Sequence, residues 1–301
     1  MGKIKSITLR KYDIIGKDAN PDLKEMPCKK LNYQELDKFG NTLRDIKYDD
    51  FEDVEEIIEN IYNEKGKLIE EKIFINEKEL AERRTYEIDE SGKIISEFTH
   101  YLDESIDTVL YEYDEDGNII KKVLNDSDGV VESKEIFKYK NGKEISYFFY
   151  NEDDDLTIER ISGYDESGNL RRIVYSNLED DEKYRIENKY DDENKLIEAF
   201  KFNRNGDLIE KYLYKHDDNG RVMEIVSENQ NQNNLTKFKY DEKGNAIEQK
   251  EMSIDETLNH FIEREFDESG NVLKITVFIN GHNNMPDMNY ILEYDYEFYT
   301  S

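Results

Sequence analysis

A chain with one cysteine, three prolines, four histidines and no tryptophan leaves little room for several common chemistries. Cys28 alone can close no intrachain disulfide and build no thiolate metal cluster. His100, His216, His260 and His282 lie far apart, in no H-E-x-x-H or related spacing. No G-x-S-x-G, Walker or dinucleotide fingerprint occurs. No apolar run approaches the 18 residues of a membrane-spanning helix, and the opening "MGKIKSITLRKYD" has no apolar signal-peptide core. A cytoplasmic location is the default expectation. "MGKIKS" matches the loose N-myristoylation pattern, but Ile4, Ile7 and Leu9 read better as a first strand. Positive charge is also scarce: 42 Lys and Arg stand against 72 Asp and Glu, a net charge of −30. Such a field repels nucleic-acid phosphates and anionic membrane surfaces, and attracts basic proteins or cations.

What the chain does have is 22 Tyr and 14 Phe among 38% charged residues, a composition that points to a folded protein with a modest core. It also repeats itself. "YDEDGNIIKKV" at Tyr113 returns as "YDESGNLRRIV" at Tyr164, "YDEKGNAIEQK" at Tyr240 and "FDESGNVLKIT" at Phe266. Taking the turn glycine as a mark gives Gly40, Gly66, Gly92, Gly117, Gly142, Gly168, Asn194, Gly220, Gly244 and Gly270, spaced 24 to 26 residues apart. Asn194 is the other residue type that tolerates the left-handed conformation.

Four residues before most marks stands an aromatic or apolar side chain: Tyr62, Ile88, Tyr113, Tyr164, Tyr190, Tyr240, Phe266. His216 fills that slot once and reads as a packed structural histidine. The preceding position is mostly charged, as in Glu87, Glu112, Lys189, Lys215, Lys239 and Glu265. That alternation has the period of a half-buried strand. Branched pairs such as Ile119-Ile120 and Val272-Leu273 follow the mark, and a second polar cluster recurs about twelve residues on. Each unit therefore reads as strand, turn, strand, turn. The helix-like "DFEDVEEIIENIY" from Asp50 falls where the repeat demands a turn and a strand, and is assigned to them.

The expected fold is all-β: one repeat domain over 1–301, an antiparallel meander of about 20 strands in units of about 26 residues. Sheets of that width curl, so the array (31–278) is expected to be an open sheet, curled or spiralling, its aromatic face inward. The segments 1–30 and 279–301 are expected to cap its ends.

The units "YDEDGNII", "YDESGNLR" and "YDEKGNAI" resemble the tyrosine-aspartate (YD, or RHS) repeat of bacterial polymorphic toxins and wall-associated proteins. The resemblance covers nearly the whole chain and implies a spiralling β-shell. The period here is longer than that family's usual unit, and 301 residues are too few to enclose a toxin. "YNEKGKL" and "YKNGKEI" also resemble, more weakly, the hairpins of MORN-like repeat antitoxins.

The acids of "YDEDG" fail as an EF-hand: with Gly117 at position six, position twelve is Val123. They read instead as solvated turn residues, with no metal or cofactor implied. Carboxylates are too numerous for any catalytic pair to stand out, and repetition itself argues against an enzyme. One asymmetry points to a binding site. The mid-unit turns form the edge opposite the marks, and in the first six units that edge is acidic. It begins with Asp49, Asp50, Glu52 and Asp53, and continues through Asp103, Glu104, Asp107, Asp126 and Asp128. It peaks at Glu152, Asp153, Asp154, Asp155 and at Glu179, Asp180, Asp181, Glu182, then turns neutral in "NRNG" and "NQNQNN". The expectation is a non-enzymatic protein whose acidic edge binds a basic partner, most concretely an immunity protein or antitoxin blocking a basic toxin. The alternative is an RHS-like surface or wall module that stacks glycans on its aromatics.

Overall fold

The computed structural model describes residues 2–14, 22–230, 233–253, 257–281 and 286–300. The calls on Asn20–Pro21, on Asn231–Gln232 of "NQNQNN", on Ile254–Glu256 and on His282 lie outside them. The strands begin with β1 (Ile4–Asp13), β2 (Lys29–Leu36), β3 (Thr42–Tyr48), β4 (Val54–Tyr62), β5 (Leu68–Phe74) and β6 (Leu80–Ile88). Next come β7 (Ile94–His100), β8 (Ile106–Tyr113), β9 (Ile119–Asn125), β10 (Val131–Lys140), β11 (Lys143–Tyr150) and β12 (Leu156–Tyr164). They continue with β13 (Leu170–Asn177), β14 (Glu182–Tyr190), β15 (Leu196–Asn203), β16 (Leu208–His216) and β17 (Val222–Asn229). The last are β18 (Asn233–Tyr240), β19 (Ala246–Ser253), β20 (Leu258–Phe266), β21 (Val272–Ile279) and β22 (Met288–Phe298). Among the described residues there is no α-helix, only a single 3-10 turn at Leu23–Glu25.

All-β architecture and the antiparallel meander are as expected. The open sheet is not. All 22 strands belong to one sheet, and β1 is hydrogen-bonded both to β2 and to the last strand, β22. The first and last strands thus complete each other's ladders, from Ile4↔Phe298 to Asp13↔Tyr290, and the sheet is closed. Closure removes the two free edges that an open meander must protect. It was invisible in the repeat because β1 and β22 lie outside it: "IKSITLRKYD" and "MNYILEYDYEF" alternate like strands but carry no turn mark.

Contacts cluster into two units. The first, 1–83 with 234–301, joins β18–β22 through β1 to β2–β5. It holds the one compact core cluster described, Tyr12, Ile14, Phe278 and fully buried Ile291, on which Leu23, Met26 and Phe261 pack. The second unit, 84–233, is the meander β7–β17. Most of its strand residues are half-buried on both faces, so the expected inward aromatic core is replaced by a ladder of rings under cations. Lys201 lies 4.6 Å from the Tyr184 ring, Arg185 4.5 Å from Phe202, and Tyr175 stacks on Tyr184 at 4.8 Å. Each such contact contributes about 0.5–1 kcal/mol at a partly exposed site.

The motif Tyr-Asp-x-x-Gly-Asn now resolves atom by atom. At Tyr113 the phenol donates to the Ile94 carbonyl at 2.7 Å. Pairing of β7 with β8 stops at Ser96↔Leu110, so without the phenol that carbonyl would lose its partner at the splayed mouth between hairpins. Tyr62, Tyr164 and Tyr190 donate likewise to the carbonyls of Thr42, Glu144 and Leu170, the first and last of which also accept the Asn60 and Asn188 side-chain amides. Asp114 accepts the Asn118 N–H at 2.8 Å and its side-chain amide at 2.9 Å. The Gly117 N–H closes on the Asp114 carbonyl with Gly117 left-handed (φ 88°), a type I turn with a G1 bulge. The Asp114 carboxyl is held below its usual range, first by the Asn118 amide and then by backbone N–H groups, which outweigh desolvation. These aspartates are therefore turn caps. The shorter "KNGK" forms a two-residue turn, with Asn141 and Gly142 both left-handed.

Candidate functional site: the mid-unit turn edge

In the second unit the turns between β7 and β8, β9 and β10, β11 and β12, and β13 and β14 fall on one edge of the meander. Alternate turns are two strand spacings apart, about 10 Å. All eleven acids singled out from the sequence (Asp103, Glu104, Asp107, Glu152–Asp155, Glu179–Glu182) lie in or beside three of these turns, so the topology does bring them to one edge.

Several are engaged locally. Asp103 accepts the Ser105 hydroxyl at 2.6 Å and its N–H at 3.0 Å, and these bonds lower its carboxyl from the ordinary value. Asp107 accepts the Tyr101 phenol at 2.9 Å. Asp154 pairs with Lys134, Asp181 with Arg204 of "NRNG", and Asp180 accepts from the Asn177 amide at 2.6 Å. The carboxylates of Glu104, Glu152, Asp153, Asp155, Glu179 and Glu182 have no hydrogen bond or ion pair among the described residues. They remain available to an outside cation.

Two features of the edge went unnoticed in the sequence. Large apolar side chains stand in the same turns as the acids: Leu102 is 70% exposed, Val130 61% and Leu178 59%. The signal was present in "YLDES", "SDGVV" and "NLEDD", where turn positions that are polar in other copies carry Leu or Val. The second feature is conformational. Glycine holds the left-handed slot at Gly129 and Gly206, but Glu104 (φ 69°), Asp154 (φ 61°) and Asp181 (φ 52°) hold it elsewhere on this edge. In the first unit, taken by itself, the Asp49–Asp53 turn has the same character, with Glu52 at φ 64° and Phe51 86% exposed.

The three described histidines form no site. His100 contacts Thr85 at 3.0 Å, His260 meets Glu251 at 3.2 Å, and His216 is half-buried at the end of β16. Among the described residues no group of three or more His, Cys, Asp or Glu is gathered in metal-holding geometry.

The fold and edge define a repeat protein of the closed antiparallel β class. No protein-family model and no curated protein matches the chain. Remote structural likenesses include TcdB2-TccC3-Cdc42, at 11% identity and TM-score 0.37, covering 86% of this chain and 19% of that one. TcdB2-TccC3 without its hypervariable C-terminal region is similar at 12% identity and TM-score 0.35, over 93% of this chain and 18% of that one. A porin-like protein from Bacteroides uniformis is similar at 11% identity and TM-score 0.34, over 98% and 96% of the two chains. This chain thus spans about a fifth of the toxin-complex chains. The tyrosine-aspartate resemblance rests on the motif residues themselves.

Proposed function

We propose that the protein is a non-enzymatic binding protein that docks a basic partner protein on its mid-unit turn edge, most concretely as a cytoplasmic immunity protein or antitoxin occluding a basic toxin. The observation that carries this reading is the exposure of Leu102 and Leu178 on turns that bear free carboxylates, with Val130 exposed on the turn between them in sequence. Apolar anchors rimmed by charge are the anatomy of a protein interface, and a solubilising surface does not require them. The acids would steer encounter, and the apolar side chains would set the residence time.

The strands support a reading away from lipid. Nearly every strand of the second unit carries charge on both alternating faces, as with Glu210 and Lys211 of β16, or Arg172 and Arg171 of β13. A lipid-facing Lys or Arg at the bilayer midplane costs about 2–4 kcal/mol, and every strand from β9 to β16 carries at least one.

The test is capture of partners from the native host, followed by stopped-flow association with a captured basic protein. Reversing charge at Asp153–Asp155 and Asp180–Glu182 should slow association severalfold at low salt, an effect that fades as salt rises. Leu102→Ala and Leu178→Ala should mainly speed dissociation. Recovery of no basic partner, or an unchanged association rate, would overturn the reading.

A further inference from the structure

At the glycine-marked edge most hairpins of the array have a slot pair directly across their two strands, five residues before the mark and four after it; in the shorter Gly142 hairpin the pair is Lys138 and Ser146. In five hairpins this pair is a salt bridge. Glu112 faces Lys121 at 2.7 Å, Lys189 faces Glu198 at 2.6 Å, and Lys215 faces Glu224 at 2.5 Å. Lys239 faces Glu248 at 2.9 Å and Glu265 faces Lys274 at 3.1 Å. In the β12–β13 hairpin the same register places Gly163 opposite Arg172. The acid is missing and the arginine remains.

Where the pair is incomplete elsewhere, Glu70 turns to Arg83 at 2.7 Å and Lys138 lies 5.3 Å from the Phe148 ring. Arg172 is different. It is exposed, as is Arg171 beside it, and neither guanidinium has a hydrogen bond, ion pair or ring contact among the described residues. Its neighbour on the other side, Glu187, is held by Arg185 at 2.9 Å. Two arginines without a local partner stand side by side on a chain of net charge −30.

The backbone does not demand glycine at 163. The residue is not left-handed, and an added Cβ would meet only the Arg172 Cβ at 3.8 Å and its carbonyl at 3.9 Å, ordinary contacts. Gly163 is the last-but-one residue of β12, at a register shift that other hairpins make without glycine at Glu112/Tyr113 and Lys189/Tyr190, so its bare backbone leaves a place another chain can approach closely. Clefts flank it: one of about 690 Å³ that Gly163 lines with Lys140 and Lys143 and with the acids Asp165 and Glu166, and one of about 440 Å³ that Arg172 lines with Arg171, Lys189, Asp165 and Glu187.

We infer that the Gly163–Arg172 step is an open carboxylate notch, into which a partner protein inserts a glutamate side chain where this hairpin lacks its own. The guanidinium fork matches a carboxylate bidentately, the bare Gly163 backbone leaves room for the incoming side chain, and Arg171 adds charge. The site is separate from the acidic edge and does not depend on the function proposed above.

The test is titration of the full chain with N-acetyl-glutamate methylamide as the probe, followed on the arginine Nε–H signals by NMR. N-acetyl-glutamine methylamide, glutarate and inorganic phosphate are run beside it. Saturable binding of the blocked glutamate, at least tenfold tighter than the glutamine analogue, is expected. Arg172→Gln and Gly163→Glu should each weaken it at least tenfold, the latter because a carboxylate supplied in cis fills the notch. Gly163→Glu should keep or raise the thermal midpoint, which separates occupancy from misfolding. Full binding by Gly163→Glu, or loss with Arg171→Gln alone, would overturn the assignment. So would preference for phosphate or glutarate over the blocked glutamate.

Discussion

Glu104 offers the cleanest measure of what the mid-unit edge gives up in stability. Its φ of 69° lies in the left-handed region, where an L-residue other than glycine is disfavoured by about 1–2 kcal/mol. Its carboxylate has no partner among the described residues, so replacing it removes no contact. Glu104→Gly relieves the strain but adds freedom to the unfolded chain, an opposing term of about 0.5–1 kcal/mol. The net expectation is a gain of about 0.5–1 kcal/mol. With an m-value of about 3 kcal/mol per molar urea, the midpoint rises by roughly 0.2–0.3 M. Removing one negative charge from a chain of −30 also stabilises, so the charge effect must be isolated. Glu104→Gln keeps the strain and loses the charge; Glu104→Asn loses the charge and tolerates the left-handed slot better. At 0.5 M salt, where the surface charge effect is screened, the order of midpoints should be Gly above Asn above Gln, with Gln close to the native chain. Gln matching Gly at high salt, or no gain for Gly, would refute the strain argument. The native fold accepts glycine in this slot at Gly129 and Gly206. An acid kept in a disfavoured conformation at the edge proposed to bind is consistent with strain collecting at functional positions.

Other outcomes follow from the same geometry. Tyr113→Phe strands the Ile94 carbonyl and should lower stability by about 1–2 kcal/mol in urea unfolding, whereas Tyr62→Phe and Tyr190→Phe should cost less, because the Asn60 and Asn188 amides still reach the same carbonyls. The carboxyls of Asp114, Asp165 and Asp267 are lowered in the folded state, so their stabilisation is fully present above the usual carboxylate value near 3.8. It is lost as pH falls through the lowered values, and the stability difference between the native chain and Asp114→Asn should be flat above about pH 5 and shrink in strong acid. At the other extreme, burial, joined by hydrogen bonding and charge from Glu293 and Glu135, pushes Tyr12 and Tyr147 up to about 12. A raised phenol favours folding below pH 10 and ceases to as pH rises through 12, so ultraviolet titration should show both ionising late, together with alkaline unfolding.

What the sequence made legible, and what it hid, divides along a physical line. The turn marks were readable because a left-handed residue is a local demand, satisfied by Gly117 or Asn194 within its own four residues. Strand count and the meander followed from them. Closure was not readable, because Ile4↔Phe298 and its fellows are contacts between chain ends that no local pattern encodes. The tyrosines were assigned to a core from their spacing alone. Their phenol bonds reach back about 20 residues to a carbonyl whose need arises only when neighbouring hairpins splay. The acidic edge was legible as charge and misjudged as simple. The exposed Leu102 and Leu178 are hidden among the polar residues of the same turns. Gly163 carries the same lesson further. In its own strand it is an unremarkable glycine, and its meaning appears only when the register sets it opposite Arg172 and beside hairpins whose slot is filled. In a repeat protein the fold is written in what the copies share, so specific function is best sought where one copy breaks a pairing that the others keep.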